Sequence, residues 1–194
     1  MVAHANEALT VRYDTFGNFL ATAGGDNLVK VWDPNKGQEV LRFTDFKKPV
    51  TCLEFNLEGN IICAGSVDKT VKVLDIKTQR AKHSFTGHTD VVNCLSMLLR
   101  SLKLVSGSSD RSIRLWDYEK LQISSKVDYP SGIFSMDLTQ DDSMLATGHN
   151  NGTLMIWAVN KFSKITEFKD LHADIITSVC ISRDNHYLLT NGKY

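Results

Sequence analysis

Residues Phe85 to Asp117 read FTGHTDVVNCLSMLLRSLKLVSGSSDRSIRLWD. The stretch opens on Gly87-His88 and closes on Trp116-Asp117, with three short apolar runs between them: Val91 to Met97, Leu102 to Ser106 and Ser112 to Trp116. A turn at Arg100-Ser101 and another at Ser109-Asp110 separate the runs. Runs this short, alternating at period two and bounded by turn residues, are strands rather than helices. Three strands cannot cover both faces of the sheet they make, so the pattern predicts neighbours of the same kind.

Those neighbours are present in the chain. Trp32-Asp33, Leu74-Asp75, Trp116-Asp117 and Trp157-Ala158 follow one another at 42, 42 and 41 residues, and a turn residue stands six places before each, at Asp26, Asp68, Asp110 and Asn151. Gly-His, then strands, then Trp-Asp at a period of roughly 40–45 residues resembles the blade of a WD40 propeller. The expected fold is therefore all-β, a WD40 β-propeller that is incomplete, with four blades and half of a fifth. The repeats run approximately over 1-43, 44-85, 86-127, 128-168 and 169-194. Tyr194 falls where Asp26, Asp68 and Asp110 stand in earlier repeats. Seven blades, the commonest number in the family it resembles, need roughly 290 residues. The expectation is a fragment or an open arc whose outer edges are prone to pair with another chain, including a second copy.

The 194 residues carry 22 basic and 22 acidic side chains, a formal net charge of zero. Long-range attraction to nucleic acid or to an anionic membrane is not expected. No apolar run approaches the roughly 18 residues of a membrane span, and the start, MVAHANEALT, lacks the basic and apolar regions of a secretory signal. A cytoplasmic chain without stable membrane insertion is expected. Cys52, Cys63, Cys94 and Cys180 show no C-x-x-C spacing and fall in strands, where a thiol behaves as a small hydrophobe. All four read as buried free thiols, and neither a metal nor a cofactor is expected.

His88, Ser106, Asp110 and Trp116 imitate a hydrolytic constellation. The same set recurs as His4, Thr22, Asp26 and Trp32, whereas a catalytic site is usually single, and no G-x-S-x-G elbow is present. In WD40 proteins such a set resembles a structural hydrogen-bond network joining turn, loop, strand hydroxyl and indole. In the second repeat the counterparts are Phe46, Ala64, Asp68 and Leu74, so histidine, hydroxyl and indole are lost together. Joint loss is what a structural network predicts, since a half-satisfied buried network is worse than an apolar one. The fourth repeat is intermediate, with Tyr129, Thr147, Asn151 and Trp157. Lys30, Lys72 and Arg114, two before each WD position, read as ordinary members of the repeat pattern. The chain is not expected to be an enzyme.

In the WD40 family the loops of the upper rim are the commonest binding face. Here that resemblance implies Lys48, Asp90, Asn93, Arg111, Phe134 and Asp174 as contacts for proteins or peptides. Phe134 is the sharpest, an aromatic where Thr51, Asn93 and Thr177 stand in other repeats; it reads either as a binding anchor or as a core residue. Repeat three also carries apolar Met97-Leu98-Leu99 where a polar turn is usual, and the first repeat ends LATAGGDNLVKVW. Both features resemble the autophagy-related 16-like WD40 proteins. That resemblance implies a non-catalytic adaptor in autophagosome assembly; the alternative is a WD40 subunit of a trafficking, ciliary or RNA-processing complex.

Overall fold

A computed structural model describes residues 3–193, and among them every regular element is a strand. Eighteen strands follow in order. The first set is β1 (Ala8–Tyr13), β2 (Leu20–Gly24), β3 (Val29–Asp33) and β4 (Gln38–Phe43); the second is β5 (Val50–Phe55), β6 (Ile61–Ser66), β7 (Val71–Asp75) and β8 (Arg80–Phe85). Then come β9 (Val92–Met97), β10 (Lys103–Ser108), β11 (Ser112–Asp117) and β12 (Gln122–Asp128), and after them β13 (Ile133–Leu138), β14 (Met144–His149), β15 (Leu154–Ala158) and β16 (Ser163–Phe168). Last are β17 (Ile176–Ile181) and β18 (Leu188–Gly192). Each set of four forms one antiparallel sheet in sequence order, and β17 and β18 form a two-stranded sheet. The three runs expected in the third repeat appear as β9, β10 and β11, the largest difference being β10, which ends two residues beyond Ser106.

The chain divides into two compact units, Met1–Leu95 and Ser96–Tyr194, the division falling inside β9. In the first unit, β1 and β2 pack against β5. The core between the first two sheets contains Ala21, Val29, Val31, Phe43, Leu53, Ile62 and Leu74, all essentially out of solvent. Removing a Leu or Ile side chain from water is worth roughly 1.5–3 kcal/mol, so these contacts rather than the hairpins alone hold sheet to sheet. In the second unit, β13 and β14 pack against β17 around Ala146, Leu154, Ile176 and Val179.

The second strands of the first, second and fourth sheets are buried along nearly their whole length and carry small residues at their centres: LATAG, IICAGS and MLATGH. Gly65 shows why. A Cβ there would stand 2.6 Å from Val92 Cγ1 and 2.7 Å from Cys52 Sγ, and one at Gly148 would stand 2.5 Å from Ser135 Oγ and 2.6 Å from Ile176 Cγ2. The next first strand therefore lies directly on these glycines. It is also tied there by polar groups, since Ser135 Oγ donates to Ile176 O at 2.9 Å and Thr51 Oγ1 donates to Val92 O.

Turn chemistry repeats with the strands. The residue after the turn acid or amide takes a left-handed conformation in four sheets, at Asn27, Lys69, Arg111 and Gly152. The first hairpin is closed by a polar side chain in four repeats: Asp14, Asn56, Thr139 and Ser182 each accept a backbone N–H from across the turn. In the third repeat this place is Leu98, which is buried. The amides of that turn are satisfied from the following repeat instead, because the Asp142 carboxylate accepts Leu99 N at 2.9 Å and Arg100 N at 2.6 Å. The apolar Met97-Leu98-Leu99 stretch is thus affordable because its cap lies 43 residues away.

One sequence expectation is corrected here. Cys63 and Cys94 are buried and Cys52 is partly so, but Cys180 is exposed. Cys180 alternates with buried Val179 on β17, so it points to the other face of that two-stranded sheet.

Candidate functional site

Four chemical groups of the first repeat form a directed relay. Trp32 Nε1 donates to Thr22 Oγ1 at 2.8 Å, which leaves the hydroxyl hydrogen for His4 Nε2, also at 2.8 Å. His4 Nδ1 then carries the ring hydrogen and donates to Asp26 Oδ1 at 2.8 Å. Each donor has one acceptor, so the assignment closes without an orphan. Burial pushes the Asp26 carboxyl upward, but the His4 hydrogen bond, with the N–H groups of Ala5 and Leu28, outweighs it and holds the group below the usual carboxylate range. The β2–β3 pairing places Thr22 two residues from Leu20, the partner of Trp32, on one face of the sheet.

The second repeat abandons the relay as the sequence predicts. Ala64 and Leu74 are fully buried, and Phe46 replaces the histidine. Asp68 keeps a local role, accepting Thr70 N at 3.0 Å and Lys47 N at 3.2 Å. Lys72 adds what sequence spacing does not show: its Nζ stands 5.3 Å from the Phe46 ring centroid, a cation–π contact. Lys30 over Trp32 and Arg114 over Trp116 repeat the arrangement at 5.9 and 5.8 Å. These cations therefore cover one aromatic in each of the first three repeats.

In the third repeat Trp116 Nε1 donates to Ser106 Oγ at 2.8 Å, and Asp110 accepts both Ser112 N and Ser112 Oγ, at 2.9 and 2.7 Å. These residues lie in the second unit; His88 is buried in the first.

The fourth repeat contains a histidine that the sequence reading missed. Trp157 Nε1 donates to Thr147 Oγ1 at 2.8 Å, Thr147 to His149 Nε2 at 3.0 Å, and His149 Nδ1 to Ser131 Oγ at 3.0 Å. The relay is complete, with its imidazole moved from the loop to the end of the strand and a serine in place of the acid. Tyr129, at the usual histidine position, packs edge-on against His149 and Trp157 and donates its hydroxyl to Glu167 Oε1 at 2.6 Å. Burial, and then the neighbouring Glu167, push the Tyr129 phenol up to about 12. Period-two alternation was the available signal: Thr147 and His149, two residues apart on β14, share a face. In the fifth repeat His172 Nε2 lies 2.8 Å from Thr190 Oγ1; the position expected for its turn acid, Tyr194, lies outside the described residues.

The rim candidates divide between the units. In the first, Lys48 and Asp90 are exposed and Asn93 is half-buried; in the second, Arg111 and Asp174 are exposed and Phe134 is half-buried. Arg111 is held in the left-handed turn, and the Asp174 carboxylate accepts Ile175 N at 2.7 Å. Phe134 lies close to Gly132 and is neither a core residue nor a fully free aromatic.

What this arrangement does chemically is hold strands in register. Thr22, Ser106 and Thr147 each accept an indole N–H and are buried, so none presents a free nucleophile to a substrate. Comparison with known proteins agrees. The family model described as WD domain, G-beta repeat matches residues 1–33, 37–75, 79–117 and 123–158. Autophagy-related protein 16 of Arabidopsis thaliana is 28% identical over 78 residues, which is 40% of this chain and 15% of that protein. WD40 repeats imply a protein-interaction scaffold, and the family is generally non-catalytic. By four matched repeats, the chain belongs to the WD40 family.

Proposed function

We propose that this chain is a non-catalytic scaffold that binds proteins or peptides through its loop rim and acts as an adaptor in autophagosome assembly. The observation that carries the scaffold reading is the use of every histidine–hydroxyl–indole set with a described bond inside the repeats, while Lys48, Asp90, Arg111 and Asp174 of the loops are exposed. The autophagy assignment is supported by the partial similarity to autophagy-related protein 16 and by the apolar turn of the third repeat. Four cysteines outside any disulfide support a reducing, cytoplasmic location, and zero net charge argues against nucleic acid as a partner.

The test is depletion of the protein in its native cells and counting of autophagosomes under starvation. Depletion is expected to lower the count, wild-type chain to restore it, and a chain carrying Lys48→Glu, Arg111→Glu and Phe134→Ala to fail. A count unaffected by depletion would remove the autophagy reading.

A further inference from the structure

The second repeat departs from the others in charge as well as in its missing relay. The loop before its first strand, residues 45–49, and the turn between its second and third strands, residues 68–72, carry Lys47, Lys48, Lys69 and Lys72 against Asp45 and Asp68, a net charge of +2. The equivalent segments of the first, third and fourth repeats carry −1, 0 and −1 with histidine neutral. At the place of Lys48 stand Asn6, Asp90, Ser131 and Asp174, and at the place of Lys47 stand Ala5, Thr89, Pro130 and Ala173. Neutral or acidic residues serve the fold at both positions, so folding does not require the lysine pair.

Loop and turn are stitched together by hydrogen bonds. Ser66 Oγ lies 3.1 Å from Lys48 O and 2.9 Å from Pro49 O, Val67 N donates to Pro49 O at 3.0 Å, and Lys47 N donates to the Asp68 carboxylate at 3.2 Å. Lys69 is held in a left-handed conformation at φ 72°, with its N–H donating to Ser66 O at 3.1 Å. Lys47, Lys48 and Lys69 are exposed, and Lys72 is half-buried with its Nζ over the Phe46 ring. In the first repeat the equivalent Lys30 has the Glu39 carboxylate 3.8 Å from its Nζ, and Glu39 is paired with Trp32. The residue paired with Leu74 is Ala81, so the second repeat lacks that counter-ion. Among the described residues none of the four lysines forms an ion pair.

We propose that this loop and turn form a carboxylate-binding site of the upper rim, whose ligand is a short, extended acidic segment of a partner protein. The proposal rests on the reading of the loop rim as the binding surface and names the chemistry of one partner. Lysine ammonium groups are point charges without the flat fork by which arginine grips one phosphate, so four of them spread over loop and turn suit carboxylates spaced along a chain. A bilayer or a duplex would meet the whole rim, where Asp45 and Asp90 are also exposed and would repel it. A short segment meets the cations and avoids both acids.

The test uses the full chain and fluorescein-labelled octaglutamate, read by fluorescence anisotropy at about 0.1 M salt. Saturable binding with a Kd below about 1 mM is expected, weakened about tenfold or more by Lys47→Gln, Lys48→Gln and Lys69→Gln together. Lys36→Gln, Lys77→Gln and Lys120→Gln together make the same charge change in other exposed turns and should weaken it by less than about twofold. Circular dichroism confirms the fold of both variants. Equal losses in the two, or no saturable binding up to about 1 mM, overturn the proposal. So does tighter binding of phosphatidylserine vesicles, or of a singly phosphorylated and otherwise neutral octapeptide, since the cations would then serve a lipid surface or a phosphate. Arg111→Glu with Phe134→Ala leaves the four lysines in place and separates the two readings: partners lost from that variant in affinity capture keep the rim reading even where octaglutamate fails to bind.

Discussion

The His149 ring is buried with a hydroxyl at each nitrogen, and burial holds its pKa down at about 4, against about 6.5 for an unfolded histidine. Between those values the unfolded chain binds a proton that the folded chain does not, so stability rises with pH across this window. The contribution is fully present above pH 6.5 and falls by about 3 kcal/mol as pH drops to 4. Denaturation curves from pH 4 to 7 should show this slope, and His149→Gln should flatten it; an unchanged slope would mean the ring titrates normally. In the first repeat, His4→Ala takes the acceptor from the Thr22 hydroxyl hydrogen and leaves Asp26 Oδ1 with only the N–H of Leu28, an expected cost of about 1–3 kcal/mol in urea unfolding. Replacing His4, Thr22 and Trp32 together by Phe, Ala and Leu copies the second repeat and should cost less than the three single changes summed. Additive costs would show that the groups do not act as a unit. The relay of the first sheet was legible because His4, Thr22, Asp26 and Trp32 sit at the repeat's own spacing. His149 was not, because it satisfies the same hydroxyl from another backbone position, and spacing records position rather than the path of a side chain.

Strand order and turn placement followed directly from the 42-residue period and from alternation within each run. What the period could not show is which glycines are obligatory. Gly17 has a left-handed backbone with open space around it, whereas Gly65 and Gly148 have ordinary backbones and no room for a methyl group. Gly148→Ala is therefore expected to lower stability by about 1–3 kcal/mol through overpacking, measurable as a shift in Tm. Its turn neighbour gives the opposite contrast. Arg111→Gly relieves a left-handed non-glycine residue and should change stability by less than about 1 kcal/mol, while Gly152→Ala should be clearly destabilising, since its Cβ would fall 1.9 Å from His172 O. Equal effects at 111 and 152 would show that conformation rather than contact governs both. The third hairpin extends the same lesson: its cap, Asp142, belongs to the next repeat, so no local motif could have revealed it.

At the scale of the molecule, a repeated sheet that consumes its own polar groups leaves recognition to its loops and edges. Val11 is 53% exposed although its register counterparts Leu53 and Val179 are almost fully buried, and Leu9 and Tyr13 continue the same apolar strand. We propose that this surface pairs with a second copy, which should appear as concentration-dependent sedimentation and diminish with Val11→Lys; sedimentation independent of concentration would contradict it. The most direct test of the account is affinity capture from native cells with two baits of equal stability, the wild-type chain and the Lys48→Glu, Arg111→Glu, Phe134→Ala variant. The account predicts a defined set of proteins on the wild type that is lost from the variant. Identical sets on both baits would contradict a scaffold that recognises its partners through the rim.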